Sequence, residues 1–354
     1  MGSGRGALTR SILIVTRGRL CGPRAGRARQ SGVVMRAHRS CARVTRGLAN
    51  LAVLGGLAMG ATHATADEAL FDSRRLTPAG EYTAGIEGPA VDAAGTLFVV
   101  NFGRQGTIGK LVLGATQSQL FAALPAGSIG NGIRFDRDGR MYVADFKKHN
   151  IFVFEPGGTT PRVYFHSDRF NQPNDLAIGA GGTLYASDPS FGQRTGQIWR
   201  ITRGPAGEGR GEVMSSERRM GTTNGIDVSP DGATLYVSES ATNELWAYRI
   251  EDAKLVAPRL VKKFGAFELD GLRTDVDGKI FVTRPSNGTI AVLTPDGNLV
   301  REIPLRGKVP SNLTFGGADG RTVFVTQVDG RFIESFRVDR PGREPCQQGV
   351  AAAC

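Results

Sequence analysis

The feature that most constrains the fold of this 354-residue chain is a unit that occurs six times. Each copy contains a short alternating run, a turn centred on glycine, and a run of β-branched and aromatic residues. The copies start 42 to 50 residues apart and read EGPAVDAAGTLFVV from Glu87, NGIRFDRDGRMYVA from Asn131, NDLAIGAGGTLYAS from Asn174, NGIDVSPDGATLYVS from Asn224, DGLRTDVDGKIFVT from Asp270 and NLTFGGADGRTVFVT from Asn312. A period of this length accommodates four short strands per unit.

Within each copy, two apolar runs around an Asp-Gly or Gly-Gly turn predict a β-hairpin. A third strand follows, as in NIFVFEP, GQIWRIT and NELWAYRI, and the repeats show no helical period. Radial repetition of four-stranded sheets leaves only short, protected edges. We therefore expect an all-β fold, a six-bladed β-propeller over residues 67–342, followed by a C-terminal tail at 343–354.

The sixth copy has no fourth strand of its own. The fifth copy ends in LTPDGNLVREI at residues 293–303, and a similar segment, LTPAGEYTAGI, stands before the first copy at residues 76–86. We expect residues 76–86 to pair with residues 331–338 as the outer strand of the last blade and so to close the ring. The longest insertion, at residues 204–223, is expected to be a surface loop.

The first position of the copies carries a side-chain oxygen in every case: Glu87, Asn131, Asn174, Asn224, Asp270 and Asn312. Turn capping explains single copies, because Asn and Asp before Gly are common turn residues. In a propeller, however, equivalent positions of the innermost strands form a ring around the central channel. Glu87 favours a ligand ring, since Glu is a poor turn residue.

Two carboxylates in one narrow channel repel each other unless a cation lies between them. An oxygen-only set with two acids suits a hard divalent ion. We expect Ca²⁺, which tolerates irregular shells of carboxylate and amide oxygens, and we retain Mg²⁺ and Zn²⁺ as alternatives.

The segments EGPAVD, QPNDLAI, TNGIDVSPDGATLYVSES, LDGLRTDVDGKIFV and PSNLTFGGADGRTVFVT resemble the gluconolactonase/regucalcin (SMP-30-like) family over roughly residues 75–340. That family consists of six-bladed, metal-dependent propeller lactonases, with diisopropyl fluorophosphatase as a distant relative. Ser190 and Phe191 stand where many members carry Pro and Tyr, which leaves the substrate open.

The resemblance implies roles for individual residues. Glu87, Asn224 and Asp270 would bind the metal, and Asp270 would be the usual candidate for the catalytic base. Because a metal-bound carboxylate is a poor proton acceptor, a metal-bound water that loses its proton to solvent or to a second carboxylate is the alternative. Asn174 would be a further metal ligand or a substrate contact. Asn131 and Asp188 would contact the substrate, although Asp188 before Pro189 also suits a turn cap.

We therefore expect a metal-dependent hydrolase that opens a lactone ring of a small molecule, a sugar lactone in the first instance. Two alternatives remain open: a non-catalytic propeller that binds a partner around a structural ion, and a hydrolase of the phosphotriesterase type. A metal-assisted hydrolase needs the carboxylate and amide ring, whereas a binding module does not.

The N-terminal 66 residues contain eleven Arg, no Lys and no acid, whereas the remainder balances 33 basic with 33 acidic residues. This neutral body argues against nucleic-acid binding. Arg residues after Met35, an apolar run at 48–61 and Ala64-Thr65-Ala66 predict a secretory signal that starts near Met35 and is cleaved after Ala66. We expect an exported monomer, periplasmic or secreted, without a stable membrane span.

Outside the leader only Cys346 and Cys354 remain. In an exported protein this pair could close a small disulfide loop, or it could remain as two thiols in a frayed tail. With only His149 and His166 in the same region, His-rich zinc sites and His-dependent triads are disfavoured.

Overall fold

Six sheets follow one another along the chain and form the blades of a β-propeller, as the repeats predict. The computed structural model describes residues 69–112 and 114–354. The predicted leader, with its start near Met35 and its cleavage after Ala66, lies outside these residues. No helix in the described part of the chain has the length and apolar character needed to cross a membrane.

The first described strand is β1 (Arg74–Arg75), and three blades of four strands follow it. The first blade contains β2 (Tyr82–Val91), β3 (Leu97–Phe102), β4 (Thr107–Leu111) and β5 (Gln119–Ala123). The second contains β6 (Gly130–Phe135), β7 (Met141–Asp145), β8 (Asn150–Phe154) and β9 (Arg162–His166). The third contains β10 (Leu176–Ile178), β11 (Leu184–Ser190), β12 (Thr195–Arg203) and β13 (Gly209–Val213), with a 3₁₀ turn at Ala180–Gly182.

The fourth blade has five strands, and the next two have four each. The fourth contains β14 (Ser215–Ser216), β15 (Thr223–Val228), β16 (Thr234–Glu239), β17 (Glu244–Glu251) and β18 (Lys254–Lys263). The fifth contains β19 (Leu272–Thr274), β20 (Ile280–Arg284), β21 (Thr289–Leu293) and β22 (Leu299–Pro304). The sixth contains β23 (Pro310–Gly316), β24 (Thr322–Gln327), β25 (Phe332–Arg337) and β1; helix α1 (Arg343–Gln347) and a 3₁₀ turn (Ala351–Ala353) follow.

An N-terminal strand closes the ring, as predicted, but the residues differ. Strand β1 pairs antiparallel with β25, with Arg74 opposite Ser335, and the Leu76 amide donates to the Ile333 carbonyl at 2.8 Å. Residues 82–86 instead begin the innermost strand β2 of the first blade, because Tyr82 and Ile86 are buried in the interface between blades six and one. The predicted closing segment of 76–86 is therefore wrong by several residues.

The insertion at 204–223 is not a simple surface loop. It contains β13, the outer strand of the third blade, and β14, which pairs parallel with β18 as a fifth strand of the fourth blade. These strands are only partly buried, because the residues of β13 alternate between intermediate and exposed positions. The segment is therefore polar and Gly-rich, and its composition does not indicate strands.

The hydrophobic core of the described residues consists of six clusters, each between two neighbouring blades. Between the second and third blades, for example, Tyr142 and Ile151 pack with Leu176 and Trp199. Each blade is thus apolar on both faces, and the polar residues of the innermost strands are left to line the channel.

The C-terminal segment is part of the propeller and not a frayed tail. Cys346 and Cys354 form a disulfide. Helix α1 buries Arg343 and Glu344, and the Gln348 side chain donates to the Val91 carbonyl at 3.1 Å.

Candidate active site

A cavity of about 730 Å³ lies where the innermost strands of all six blades converge. Its size is in the range of small-molecule sites. Each blade contributes one polar residue at the equivalent point of its innermost strand: Glu87, Asn131, Asn174, Asn224, Asp270 and Ser311. The structure thus brings five of the six predicted ring residues together.

In the sixth blade the predicted ring residue, Asn312, is wrong by one position. Leu313 pairs with Val325 as Leu272 pairs with Val282 in the fifth blade, so the equivalent of Asp270 is Ser311. Asn312 lies one residue deeper, where its amide donates to the Glu87 carboxylate at 2.9 Å and to Asp175 at 3.4 Å. It therefore supports the ring from beneath.

The two carboxylates of the ring disfavour each other's ionisation. The pKa of Glu87 is raised from 4.5 to about 7, chiefly by burial and then by the charge of Asp175, against the lowering effect of hydrogen bonds from Gly88 and Asn312. The pKa of Asp270 is also raised well above its ordinary value. Burial is the main cause, and the negative charges of Glu87 and Asp175 raise this pKa as well. A site of this kind is stabilised by a positive charge placed between the acids.

The amides of the ring are only partly satisfied by the protein. Asn224 donates to the Ser240 hydroxyl at 2.9 Å and also hydrogen-bonds the Asp270 carboxylate. The buried Oδ1 of Asn174 and the buried Nδ2 of Asn131 have no hydrogen-bond partner among the described residues. Because unpaired buried polar atoms are costly, both atoms are suited to binding a ligand.

A buried layer of charged side chains lies beneath the ring. Asp175 accepts from Arg134 at 3.0 Å and from Arg273 at 2.9 Å. Although burial raises the pKa of Asp175, these two arginines lower it below the ordinary value of 3.8. Asp175 therefore remains ionised and contributes negative charge directly below the ring.

Helix α1 completes this layer. Glu344 of the helix pairs with Arg134 at 2.7 Å, and Arg343 pairs with Asp227. Because a charge without a partner is costly in the protein interior, the C-terminal segment stabilises the channel by supplying a partner for one arginine and one aspartate.

Sequence reasoning did not identify the members of this layer. The signal was present, since Arg134, Asp227 and Arg273 all occupy the position three residues after the ring residue of their copies. A charged residue on an otherwise apolar innermost strand indicates a side chain that faces the channel.

The structure does not bring Asp188 to the cavity; within the described residues the cavity lining excludes it. Its buried carboxylate accepts from the Asn171 and Gln172 amides at 2.9 and 2.7 Å and from the indole of Trp199 at 3.0 Å. Burial raises the pKa of Asp188 above its ordinary value against these hydrogen bonds. Asp188 thus holds the loop before the third blade's innermost strand, in agreement with the turn-cap alternative.

The walls and mouth of the cavity mix aromatic and polar side chains. Phe146, Phe191 and Phe267 line it together with Gln172 and Arg194. The repeats contain no signal for these residues, because they lie in loops that differ from blade to blade.

Metal-ligand chemistry based on histidine is absent from this cavity. His166 is half-exposed and hydrogen-bonds Asn150 at 2.9 Å, and no histidine lines the cavity within 69–112 and 114–354. Within the same residues, no group of three or more His, Cys, Asp or Glu side chains lies close enough together to bind a metal ion. The ring does not meet this criterion because it combines only two carboxylates with amides.

Comparison with known proteins places the chain in a family. The family model described as "SMP-30/Gluconolactonase/LRE-like region" matches residues 87–329. A gluconolactonase from Zymomonas mobilis is 29% identical over 233 residues, which are 57% of this chain but only 63% of that protein. Diisopropyl-fluorophosphatase from Loligo vulgaris is 26% identical over 293 residues, which are 73% of this chain and 91% of that protein.

The fold has a solved counterpart in regucalcin, a calcium-binding protein from Agrobacterium tumefaciens. The two share a TM-score of 0.61 at 17% identity, over 75% of this chain and 96% of that one. Because the matching family model covers most of the propeller, including all six ring residues, this protein belongs to the SMP-30/gluconolactonase/LRE-like family.

Proposed function

We propose that this protein is a calcium-dependent hydrolase that opens the ring of small lactones, sugar lactones among them. One observation carries the proposal: two buried carboxylates and an unpartnered amide oxygen converge at the inner end of a 730 Å³ cavity.

The residues fit a hard divalent cation. Glu87, Asn224 and Asp270 would hold it, because the repulsion between the two acids calls for a positive charge. Asn174 would lie beside the ion, where its free Oδ1 is available to the substrate. When bound, such a cation supplies Lewis acidity that polarises a carbonyl group. The calcium-binding character of regucalcin supports Ca²⁺ as the ion.

The side chains of the ring have distinct parts in the reaction. Asp270 accepts a proton from the attacking water, whose oxygen forms a bond to the lactone carbonyl carbon. The ring carbon–oxygen bond then breaks and the proton passes to the departing ring oxygen, which yields the hydroxy acid. Asn174 and Asn131 orient the substrate through their free amide atoms, while Ser240 fixes the side chain of Asn224.

A second candidate is hydrolysis of a phosphorus–fluorine bond. The match to diisopropyl-fluorophosphatase supports it, because it spans 91% of that protein. The same two carboxylates and amides would serve, so a fluorophosphate belongs in any substrate panel.

The test combines metal titration by calorimetry with an acid-release assay on five- and six-membered lactones, with and without chelator. We expect one divalent ion per chain, chelator-sensitive turnover, and loss of most of both in Asp270→Asn. Asp168→Asn, which removes a fully exposed carboxylate, is the matched control and should behave as wild type. Wild-type protein that binds no divalent ion contradicts the proposal. Metal binding without any turnover, with Asp270→Asn changing only the melting temperature, supports the binding-module alternative.

We also propose that the protein is exported after cleavage behind Ala66. The apolar run at 48–61 and the small residues before Asp67 support this, and the Cys346–Cys354 disulfide suits an oxidising compartment. N-terminal sequencing of the native protein should return Asp67, and an N-terminus at Met1 or Met35 would contradict the proposal.

A further inference from the structure

One arginine stands apart from the other charged groups of the cavity. Arg194 is the only Lys or Arg that lines the cavity in the described part of the chain, and it forms no salt bridge there. The acids around it are Glu87 and Asp270 in the ring and Glu268 at the mouth. A lone cation in such a cavity invites an anionic partner.

The structure holds the Arg194 guanidinium in place. Arg194 ends a tight turn in which its amide donates to the Phe191 carbonyl at 3.3 Å, and its backbone has a left-handed φ of 55°. From this turn its Nη2 donates to the Ala241 carbonyl of the fourth blade at 2.9 Å. This bond uses one of the five N–H donors of the guanidinium. The remaining donors can bind a planar or tetrahedral anion in bidentate fashion.

The surroundings of Arg194 favour such an interaction. Phe191, in the same turn, and Phe146, on the second blade, also line the cavity, and Arg194 itself is exposed to the substrate that enters it. Glu268 lies on the preceding loop of the fifth blade and repels anions from that part of the mouth. A negatively charged group is therefore directed to the third and fourth blades, where Arg194 lies.

We infer that Arg194 is a specificity-determining residue that binds an anionic group of the substrate, a carboxylate, sulfonate or phosphate. The inference rests on the proposed lactonase function and narrows its substrates to acidic lactones. The lactone carbonyl reaches the ring at the inner end of the cavity, and the anionic substituent remains at the mouth against the guanidinium.

A matched pair of substrates tests this inference. D-Glucaro-1,4-lactone carries a carboxylate where D-glucono-1,4-lactone carries a hydroxymethyl group. We expect the wild-type kcat/KM to favour the acidic lactone, and Arg194→Gln to reduce that preference by roughly threefold to tenfold, because the charge-assisted hydrogen bond of an exposed arginine is partly screened by water. Arg194→Lys keeps the positive charge but loses the paired N–H donors that bind a carboxylate in bidentate fashion, so it should retain part of the preference.

The control is Arg259→Gln. Arg259 is exposed and its Nη2 donates to the Pro295 carbonyl of the next blade at 2.9 Å, so the variant loses the same charge and the same kind of bond outside the cavity. It should keep the wild-type preference. Equal turnover of the two lactones by wild type, or an unchanged preference in Arg194→Gln, would overturn the inference while leaving the lactonase proposal intact.

A binding measurement separates this inference from the proposed function. Calorimetry with D-glucarate and the uncharged D-glucitol needs no turnover, and wild type should bind glucarate more tightly than Arg194→Gln does, with little difference for glucitol. If neither lactone is hydrolysed but this difference is seen, the lactonase proposal fails and the anion site stands. If Arg194→Gln binds glucarate as wild type does, the anion site fails.

Discussion

The stability of the metal-free protein should fall as the pH rises, because Glu87 is a buried acid beside other acids. Its pKa is raised from 4.5 to about 7, chiefly by burial and then by the charge of Asp175. The folded protein therefore keeps the Glu87 proton up to about pH 7, whereas the unfolded chain releases it near pH 4.5. Between these values the unfolded chain holds fewer protons, so the free energy of unfolding decreases with rising pH.

The size of the effect follows from that difference in pKa. At about 1.4 kcal/mol for each pH unit, a pKa raised from 4.5 to about 7 costs about 3 kcal/mol once the pH exceeds 7. Glu87→Gln removes the titration and keeps an oxygen for the amides of Gly88 and Asn312. The variant should thus be more stable than wild type at pH 8 in chelator, and less stable than wild type in excess Ca²⁺.

Urea unfolding at several pH values between 4.5 and 8, with chelator present, measures this difference. Asp275, whose pKa burial raises to about 6, contributes a slope of the same sign. Asp270, whose pKa burial and the charge of Glu87 raise well above its ordinary value, does so too, and the difference between wild type and Glu87→Gln therefore measures Glu87 together with its effect on Asp270. Glu155→Gln, at an exposed position, is the control for loss of charge. A free energy of unfolding that stays constant in wild type over this range, or an equal slope in Glu87→Gln, would refute the reasoning.

Three further predictions concern single side chains. Asn174→Ala should lower substrate affinity or rate and leave calorimetric metal binding largely intact; loss of metal binding instead would make Asn174 an essential ligand. Asp188→Ala leaves several buried donors without an acceptor, so we expect a loss of about 3 kcal/mol in urea unfolding with unchanged metal affinity; weakened metal binding would contradict its structural role. Glu344→Gln removes a buried partner of Arg134 and should cost about 3 kcal/mol, whereas Glu212→Gln, an exposed pair with Arg200, should cost almost nothing; equal melting temperatures of the two variants would contradict the role of helix α1.

Periodicity alone was enough to predict the fold and most of the ring. Glycine turns and alternating runs recur at the same point of each copy, so the strand register carries over from blade to blade. The sixth copy is the exception because it contains the pair Ser311-Asn312, and alignment on the amide placed it one residue out of register. The closing strand was misplaced for a related reason, since the LTPAG match ignores that Tyr82 and Ile86 are buried between blades.

The charged layer and the cavity mouth were beyond the reach of sequence patterns. Glu344 meets Arg134, which is 210 residues earlier, and such complementarity is visible only once the blades are in place. Arg194 and Phe191 belong to a turn without counterparts in the other copies. Repeats thus predict what the blades share, whereas the features that distinguish substrates lie where the blades differ.

The way in which the ring closes also determines the order in which the molecule can form. The hydroxyl of Ser73 donates to Glu334, 261 residues later in the chain. During synthesis the first five blades are complete before this contact can exist, and loop closure over such a distance is slow relative to local hairpin formation. Arg343 and Glu344 emerge later still, so a nascent chain that ends before them has all six blades, but Arg134 lacks its partner Glu344 and Asp227 lacks its partner Arg343. The inner support of the cavity is therefore the last part of the propeller to mature.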